Sequence, residues 1–542
     1  MDRIQTERLN QKEIDIQIKK ELEKTEDNSS EDSIYYYDID QLYYFIKSFN
    51  ELGNVNRLNK TVIEEFNDEN TTEKKSVMPF KNSIAISNSF TREYNDRYDN
   101  LLFKLDLIST RNFDSFEMVD IDLKRFSEIN NKPMTNASEF LGIYIEDPDN
   151  HLNLSISCLQ PFRDFDSLKS NEQLNSKIAE LKERLQCMRF LGTKLIIVCL
   201  NCLDNDNCIK NDENVIKDLK LLSETVSDFD KDFKIAIEIL SWSSYVQTLD
   251  HLLKIVNKVD RKNLGICFDS FHYLCEFKKN NTEGQFNLEI LDQIIVDGRL
   301  FFVQLSDSLN IKFNYNNIEN FLYYSRNFRV LPFQGDYSEE LVSIIQKLLL
   351  YRLHENGIEL SLECFNPYNI NFNESIVSLN YLQLFTIDNV KRDDIKIDKV
   401  FVNQKLGQIQ FFVENNQTMI DIVKKAFFLG YDIIETIEEL NLKFIYNDGK
   451  RHKRLVEDGD GKKTFEVCID KFYSLKLLLF TVFNMEVIRK NNGCYEMGYG
   501  SDVKIELKIQ DYGLTVSSCF SQTSEVDLKM KIENRNEIEN EN

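Results

Sequence analysis

Eight short apolar runs, each set off by a stretch of helical periodicity, constrain this chain more than any other feature. The runs are "SIAIS" (83–87), "FEMVDI" (116–121), "LNLSISCL" (152–159), "LIIVCL" (195–200), "IAIEIL" (235–240), "LGICF" (264–268), "LFFVQL" (300–305) and "IELSLE" (358–363). They are apolar almost end to end, the pattern of strands covered on both faces. Between them lie amphipathic stretches. "KIAELKERLQCMRFLG" sets Ile178, Leu181, Leu185 and Met188 on one stripe and stops at Gly192. "YVQTLDHLLKIVNKV" and "EELVSIIQKLLLYRLHENG" behave alike. Eight such units over about 300 residues predict an α/β fold, a closed parallel (β/α)8 TIM barrel. A doubly wound open sheet is the alternative, but no Gly-rich phosphate loop follows the first run.

The flanking sequence is of another kind. Residues 1–80 are acidic and Asn-rich ("KTEDNSSEDS", "NDENTTEKK") and read as a polar, largely irregular extension. The barrel is expected over 81–388. Beyond it, "GQIQFFVENNQTMIDIVKKAFFLGYDI" reads strand, helix, strand. Further strands are expected in "LKFIYND", "KTFEVCID" and "VKIELKIQD", with a helix near "SLKLLLFTVFN". These predict a smaller α+β domain over 389–530, followed by a disordered tail at 531–542.

Charge and cysteine content narrow the function classes. A net charge of −24 argues against nucleic acid and anionic membrane surfaces as partners. No leader-like segment and no apolar stretch of about 18 residues is evident. The 11 cysteines sit mostly inside apolar runs, as reduced thiols do, so a cytoplasmic protein is expected. Cys199, Cys202 and Cys208 crowd together but lack a fourth zinc ligand at suitable spacing.

In such a barrel, function lies at the C-terminal ends of the strands. Run five ends near Glu238, followed by Trp242; run six ends at Asp269, with His272 beyond; run seven carries Gln304 and Asp307; run eight carries Glu363, then Asn366. A carboxylate in a buried strand is costly unless paired or bound to metal. Two Glu, one Asp and one Gln on four consecutive strands make an oxygen donor set suited to Mg²⁺ or Mn²⁺.

"AIEILSW", "CFDSFHYL", "VQLSD", "SRNFRVLPFQGD", "LECFN" and "QPFRDF" together resemble 3-dehydroshikimate dehydratase, a metal-dependent barrel of the xylose-isomerase-like kind. The resemblance spans roughly 83–385. It implies metal ligation by Glu238, Asp269, Gln304 and Glu363, and conversion of 3-dehydroshikimate to protocatechuate and water. Related sugar isomerases usually carry His where Gln304 stands. The related three-zinc DNA-repair endonuclease needs several histidine ligands, and the chain has five histidines in all. His272 is expected as the base that takes the α-proton, with Glu238 beside it. Arg163 and Arg329 are expected to clamp the substrate carboxylate, with Ser325 as a donor and Arg326 as the alternative to Arg329.

The sequence departs from that pattern in places. The family often reads "FPGQG" where Leu331–Gly335 stand, so Phe333 replaces a glycine, and a loop reshaped near the substrate is expected. The loop after run four is expanded. The C-terminal region is similar to a 4-hydroxyphenylpyruvate-dioxygenase-like, vicinal-oxygen-chelate module. Its iron site needs two His and a Glu, and only His452 lies beyond residue 385, so a structural or homodimerising role is expected. A sugar isomerase or epimerase, or a non-catalytic scaffold, are the alternative functions.

Overall fold

The computed structural model describes residues 78–86, 101–111, 113–203, 208–280, 286–310, 318–364 and 372–388, and much of 397–520. The N-terminal extension before residue 78, the tail beyond 520, Asn366 and His452 lie outside the described residues.

All eight expected strands form. They are β1 (Asn82–Ile84), β2 (Ser115–Val119), β3 (Ser155–Arg163), β4 (Leu195–Cys199), β5 (Lys234–Glu238), β6 (Leu264–Asp269), β7 (Leu300–Leu305) and β10 (Leu360–Leu362). Every pairing among them is parallel, in the order β1-β10-β7-β6-β5-β4-β3-β2. A parallel bridge between Ala85 and Glu117 joins the first strand to the second and closes the ring. A parallel pair cannot be joined by a tight turn, so helices cross outside and cover the strands. β3 runs four residues beyond the expected end, through Arg163. β2 ends sooner, because Asp120 opens a helix.

Side-chain caps punctuate the outer helices. Ser170 accepts from the amides of Glu172 and Gln173 at the start of Asn171–Leu191; Asn211 and Thr248 cap Asp212–Phe229 and Leu249–Val259 in the same way. The expected stripe holds: Leu181, Leu185 and Met188 are fully buried. Helix Met134–Glu146 approaches Asn171–Leu191 so closely that a Cβ on Gly142 would sit 2.0 Å from the Phe190 carbonyl oxygen.

Inside the chain's second half, β8 (Asp307–Ser308) pairs antiparallel with β9 (Arg329–Val330) just beyond the end of β7. Beyond residue 397 the strands form sheets of their own. One has three strands, Ile397–Asn403, Gln408–Val413 and Leu442–Tyr446; the other is a four-stranded antiparallel meander from Glu486 to Phe520. The helix Ile469–Thr481 packs against Phe372–Asp388, the last helix of the barrel. Ile469 and Asp470, expected to end a strand, begin that helix instead. Ile397–Asn403 is a strand that begins within the charged stretch "DNVKRDDIKIDK" (388–399) and pairs with Gln408–Val413.

Gly142→Ala should cost about 2–3 kcal/mol, since backbone and not a flexible side chain must give way. Its thermal midpoint is expected several degrees below wild type, whereas Gly298→Ala, with nothing within 4 Å of its added carbon but a left-handed φ of +67°, should lose only the backbone cost of about 1 kcal/mol.

Candidate active site

Asp269 ends β6 and also starts the next helix, Ser270–Asn280: its Oδ1 accepts the Phe271 amide at 2.7 Å. One acid therefore closes a strand, caps a helix and aims its other oxygen at the barrel mouth. His272 falls in the first turn of that helix, facing the same point. Its Nε2 lies 3.7 Å from Asp269 Oδ2 and 3.8 Å from Glu238 Oε1. Glu238, Asp269 and His272 form a buried group whose ligand atoms all lie within 4.8 Å of one another.

Glu363 follows β10 directly and joins the cluster through Arg329. The Arg329 Nη2 donates to Asp269 Oδ2 at 2.9 Å and to Glu363 Oε2 at 3.0 Å, and its Nε donates to Ser306 Oγ at 2.8 Å. The guanidinium is fully buried and sits over the Phe271 ring, 4.8 Å from the centroid. Arg329 is thus tied to two of the expected metal ligands.

Sequence reasoning missed a fourth acid. Glu117 of β2 is wholly buried; its Oε2 accepts from Gln160 Nε2 and from Gln304 Nε2, both at 2.9 Å, and Ser361 Oγ donates to its Oε1. Gln160 Nε2 also reaches Glu363 Oε1 at 3.1 Å, linking this acid to the cluster. The signal was present: Glu117 is a carboxylate inside the apolar run "FEMVDI". Gln304 stands beside it with its Oε1 accepting from Cys267 Sγ at 3.2 Å. An amide oxygen has two lone pairs, so one remains for a further partner.

The electrostatics follow from burial. Glu117 is pushed up to about 8, by desolvation first and by repulsion from Glu363 second. Glu238 is raised by burial and then by Glu363 and Asp269. Asp269 and Glu363 are raised less, because Arg329 offsets their burial. Burial alone would lower Arg329, but Asp269 and Glu363 raise it further, so it stays charged. His272 is lowered to about 3 by burial and then by Arg329.

The state of His272 is fixed by Ser241. Its Nδ1 receives the Ser241 backbone N–H at 3.0 Å, with Ser241 Oγ at 2.9 Å. An amide N–H can only donate, so Nδ1 is the acceptor and the neutral ring carries its proton on Nε2. His272 therefore presents an N–H to the cluster. The expected role of base requires a lone pair at that atom, and the resting geometry does not offer one. Trp242 packs edge-on against the ring, centroids 5.0 Å apart.

The other expected residues are placed as follows. Arg163 is exposed at the end of β3 and pairs in register with Cys199, which pairs in register with Glu238. It is the guanidinium at the rim of the mouth. Ser325 is buried on the helix Ile318–Asn327, and Arg326 on the same helix is exposed; no described bond joins either to the cluster. Asp307 serves a turn: it accepts from Tyr337 N at 2.9 Å and Ser338 Oγ at 2.6 Å. Phe333 is buried against Tyr381, Phe385 and Phe480. Cys199 donates to Glu238 Oε2 at 3.2 Å, while Cys202 and Cys208 meet backbone carbonyls. Eight cysteines, Cys158, Cys187, Cys199, Cys202, Cys208, Cys267, Cys275 and Cys364, are free thiols.

The donor set fits a hard divalent cation. Four buried carboxyl groups, Glu117, Glu238, Asp269 and Glu363, meet one guanidinium among the described residues. Such an excess of buried acid is costly without a further cation. Among the described residues no helix is long and apolar enough to cross a membrane.

These features, acids on successive strand ends of a closed parallel barrel, define a barrel protein with a candidate metal site at its mouth. The chain belongs to the xylose isomerase-like TIM barrel family, whose sequence profile matches residues 105–377. It is similar to 3-dehydroshikimate dehydratase of Pseudomonas putida, 26% identical over 303 residues, which cover 54% of this chain and 42% of that protein. The protein of the same name from Pseudomonas aeruginosa is 26% identical over 308 residues, 55% of this chain and 42% of that one. The chain thus matches less than half the length of these relatives. A solved xylose isomerase-like TIM barrel/4-hydroxyphenylpyruvate dioxygenase fusion protein shares the fold, with a TM-score of 0.55 and 17% identity over 84% of this chain and 80% of that one.

Arg329→Met strips Asp269 and Glu363 of their counter-ion and should destabilise the metal-free protein by about 3–5 kcal/mol. Mn²⁺ should raise the thermal midpoint of this variant by more than it raises that of wild type. An equal increment would show that the arginine and the cation do not compete for the same carboxylates.

Proposed function

We propose that the chain is a divalent-metal-dependent lyase that dehydrates 3-dehydroshikimate to protocatechuate. The observation that carries this reading is the buried Glu238–Asp269–Glu363 cluster at the barrel mouth with the His272 N–H directed at it. The names of the two curated relatives supply the substrate, and Gln304, where sugar isomerases usually carry His, favours the dehydratase.

The reaction removes the proton α to the ketone, breaks the C–O bond of the hydroxyl one carbon further on, and ends in an enolisation that makes the ring aromatic. Glu238, Asp269, Glu363 and the free lone pair of Gln304 would hold Mg²⁺ or Mn²⁺, which supplies Lewis-acid stabilisation of the enolate oxygen. Glu238 takes the α-proton through the carboxylate oxygen that does not hold the cation, at the same point of the mouth that the His272 ring faces. His272 donates Nε2–H to an oxygen of the reacting ring, with Ser241 holding its tautomer. Arg329 keeps Asp269 and Glu363 oriented. Arg163, the exposed guanidinium at the rim, meets the substrate carboxylate.

Metal-loaded full-length protein should turn 3-dehydroshikimate into protocatechuate, read as new near-ultraviolet absorbance and abolished by a chelator. Glu238→Gln should lower kcat by about 10³-fold or more, and His272→Ala by about 10²–10³-fold with little change in metal affinity. Protein that binds metal and interconverts ketoses while leaving 3-dehydroshikimate untouched is an isomerase, and protein that binds no metal is a scaffold.

Carboxyl deprotonation must precede metal binding. The acids are raised in the folded state, Glu117 to about 8, so the metal-free fold loses stability as pH rises from the unfolded value of 4.5 through 8. The thermal increment from Mn²⁺ should therefore be larger at pH 7.5 than at pH 5.5; an equal increment at both would mean the cation binds elsewhere.

A further inference from the structure

We propose that Lys476 and Phe480, on the helix Ile469–Thr481 beyond the barrel, are positioning residues for Arg329. The inference starts from how the arginine is held. Its side chain is wholly buried among Ser306, Asp269 and Glu363, so its placement depends on the backbone that follows it. Arg329 and Val330 form β9, and the next five residues, Leu331–Gly335, turn tightly, with Gln334 N donating to Leu331 O at 3.0 Å.

Three surfaces grip this turn. Two belong to the barrel. Helix Phe372–Asp388 holds it through Gln334 Nε2 to Glu374 Oε2 at 3.0 Å and Ser378 Oγ to Pro332 O at 2.8 Å. Asp307 backs it so closely that a Cβ on Gly335 would lie 2.2 Å from the carboxylate oxygen. The third surface lies past residue 397. Lys476, buried, donates from Nζ to Gln334 O at 2.9 Å and to Gly335 O at 2.8 Å. One ammonium thus ties together two consecutive carbonyls of the turn.

Phe333 adds the second contact. Its φ of +70° is a left-handed conformation that disfavours any residue with a side chain. Phe480 stacks on the ring, centroids 5.2 Å apart and planes at 20°, and Tyr381 meets it edge-on at 5.0 Å. This is where the sequence departs from the glycine expected at that place. The side chain that a left-handed turn disfavours is the one the C-terminal helix holds. The region beyond the barrel contributes no described atom to the acid cluster, yet it acts on the cluster through four residues of backbone.

The test uses full-length protein and Mn²⁺, and it rests on the proposed metal site only in its second measurement. First, hydrogen exchange of 329–337 should be at least tenfold faster in Lys476→Met and in Phe480→Ala than in wild type, with β4, β5 and β6 unchanged. Second, if Arg329 opposes the metal, its loosening should tighten Mn²⁺ binding about threefold or more in Lys476→Met, read by quenching of Trp242, the only tryptophan in the chain. Lys476→Arg should restore wild-type exchange and affinity, which a general loss of packing would not allow. If Lys476→Met does not fold, Phe480→Leu carries the same two measurements. Unchanged exchange at 329–337 in the folded variants overturns the proposal, as does faster exchange with unaltered Mn²⁺ affinity. Should wild type bind no Mn²⁺, the metal reading falls and the exchange result alone decides.

Discussion

The structure turns on a charge imbalance at the barrel mouth. Three strand-end carboxylates and Glu117 beneath them are buried against a single described guanidinium, Arg329. At about 4 Å and an effective dielectric near 20, two like charges repel by about 4 kcal/mol, so this cluster is tolerable only if something offsets it. Within the protein, Arg329 offsets part, and amide, hydroxyl and thiol donors from Gln160, Gln304, Ser361, Cys158 and Cys199 offset more. The remainder is what a divalent cation would neutralise. The same excess raises Glu238, while burial and Arg329 lower His272 against the pull of Glu363 and keep its ring neutral.

The fold was legible because a buried parallel strand has a distinctive composition. Each of the eight apolar runs became a strand, and the order around the ring follows the order in the chain. Strand ends were less legible: the apolar run of β3 stops at Leu159, while its pairing to β4 goes on through Arg163. The charged stretch at 388–399 hid the start of the strand Ile397–Asn403, because its pairing partner decides its state more than its own residues do.

The candidate site was legible at its acids. Glu238, Asp269 and Glu363 stood at equivalent strand ends, and the structure brings them together. What failed was anything that depends on rotamer and partner. Arg329 was expected at the substrate and instead bridges two acids; His272 was expected as a base, but Ser241 fixes a donor tautomer. Glu117 was readable as an acid in an apolar run, yet only the closure of β1 and β2 shows that it faces the same interior. Phe333 read as a departure near the substrate, and its reason lies in a helix more than a hundred residues away.

The account is tested most directly by locating a cation in crystals of the full-length protein soaked with Mn²⁺, through its anomalous scattering. The expected result is one peak at roughly 2.0–2.3 Å from oxygens of Glu238, Asp269 and Glu363, with Arg329 drawn off at least one of them. A fully occupied Mn²⁺ elsewhere, with Arg329 still bridging Asp269 and Glu363, would contradict it.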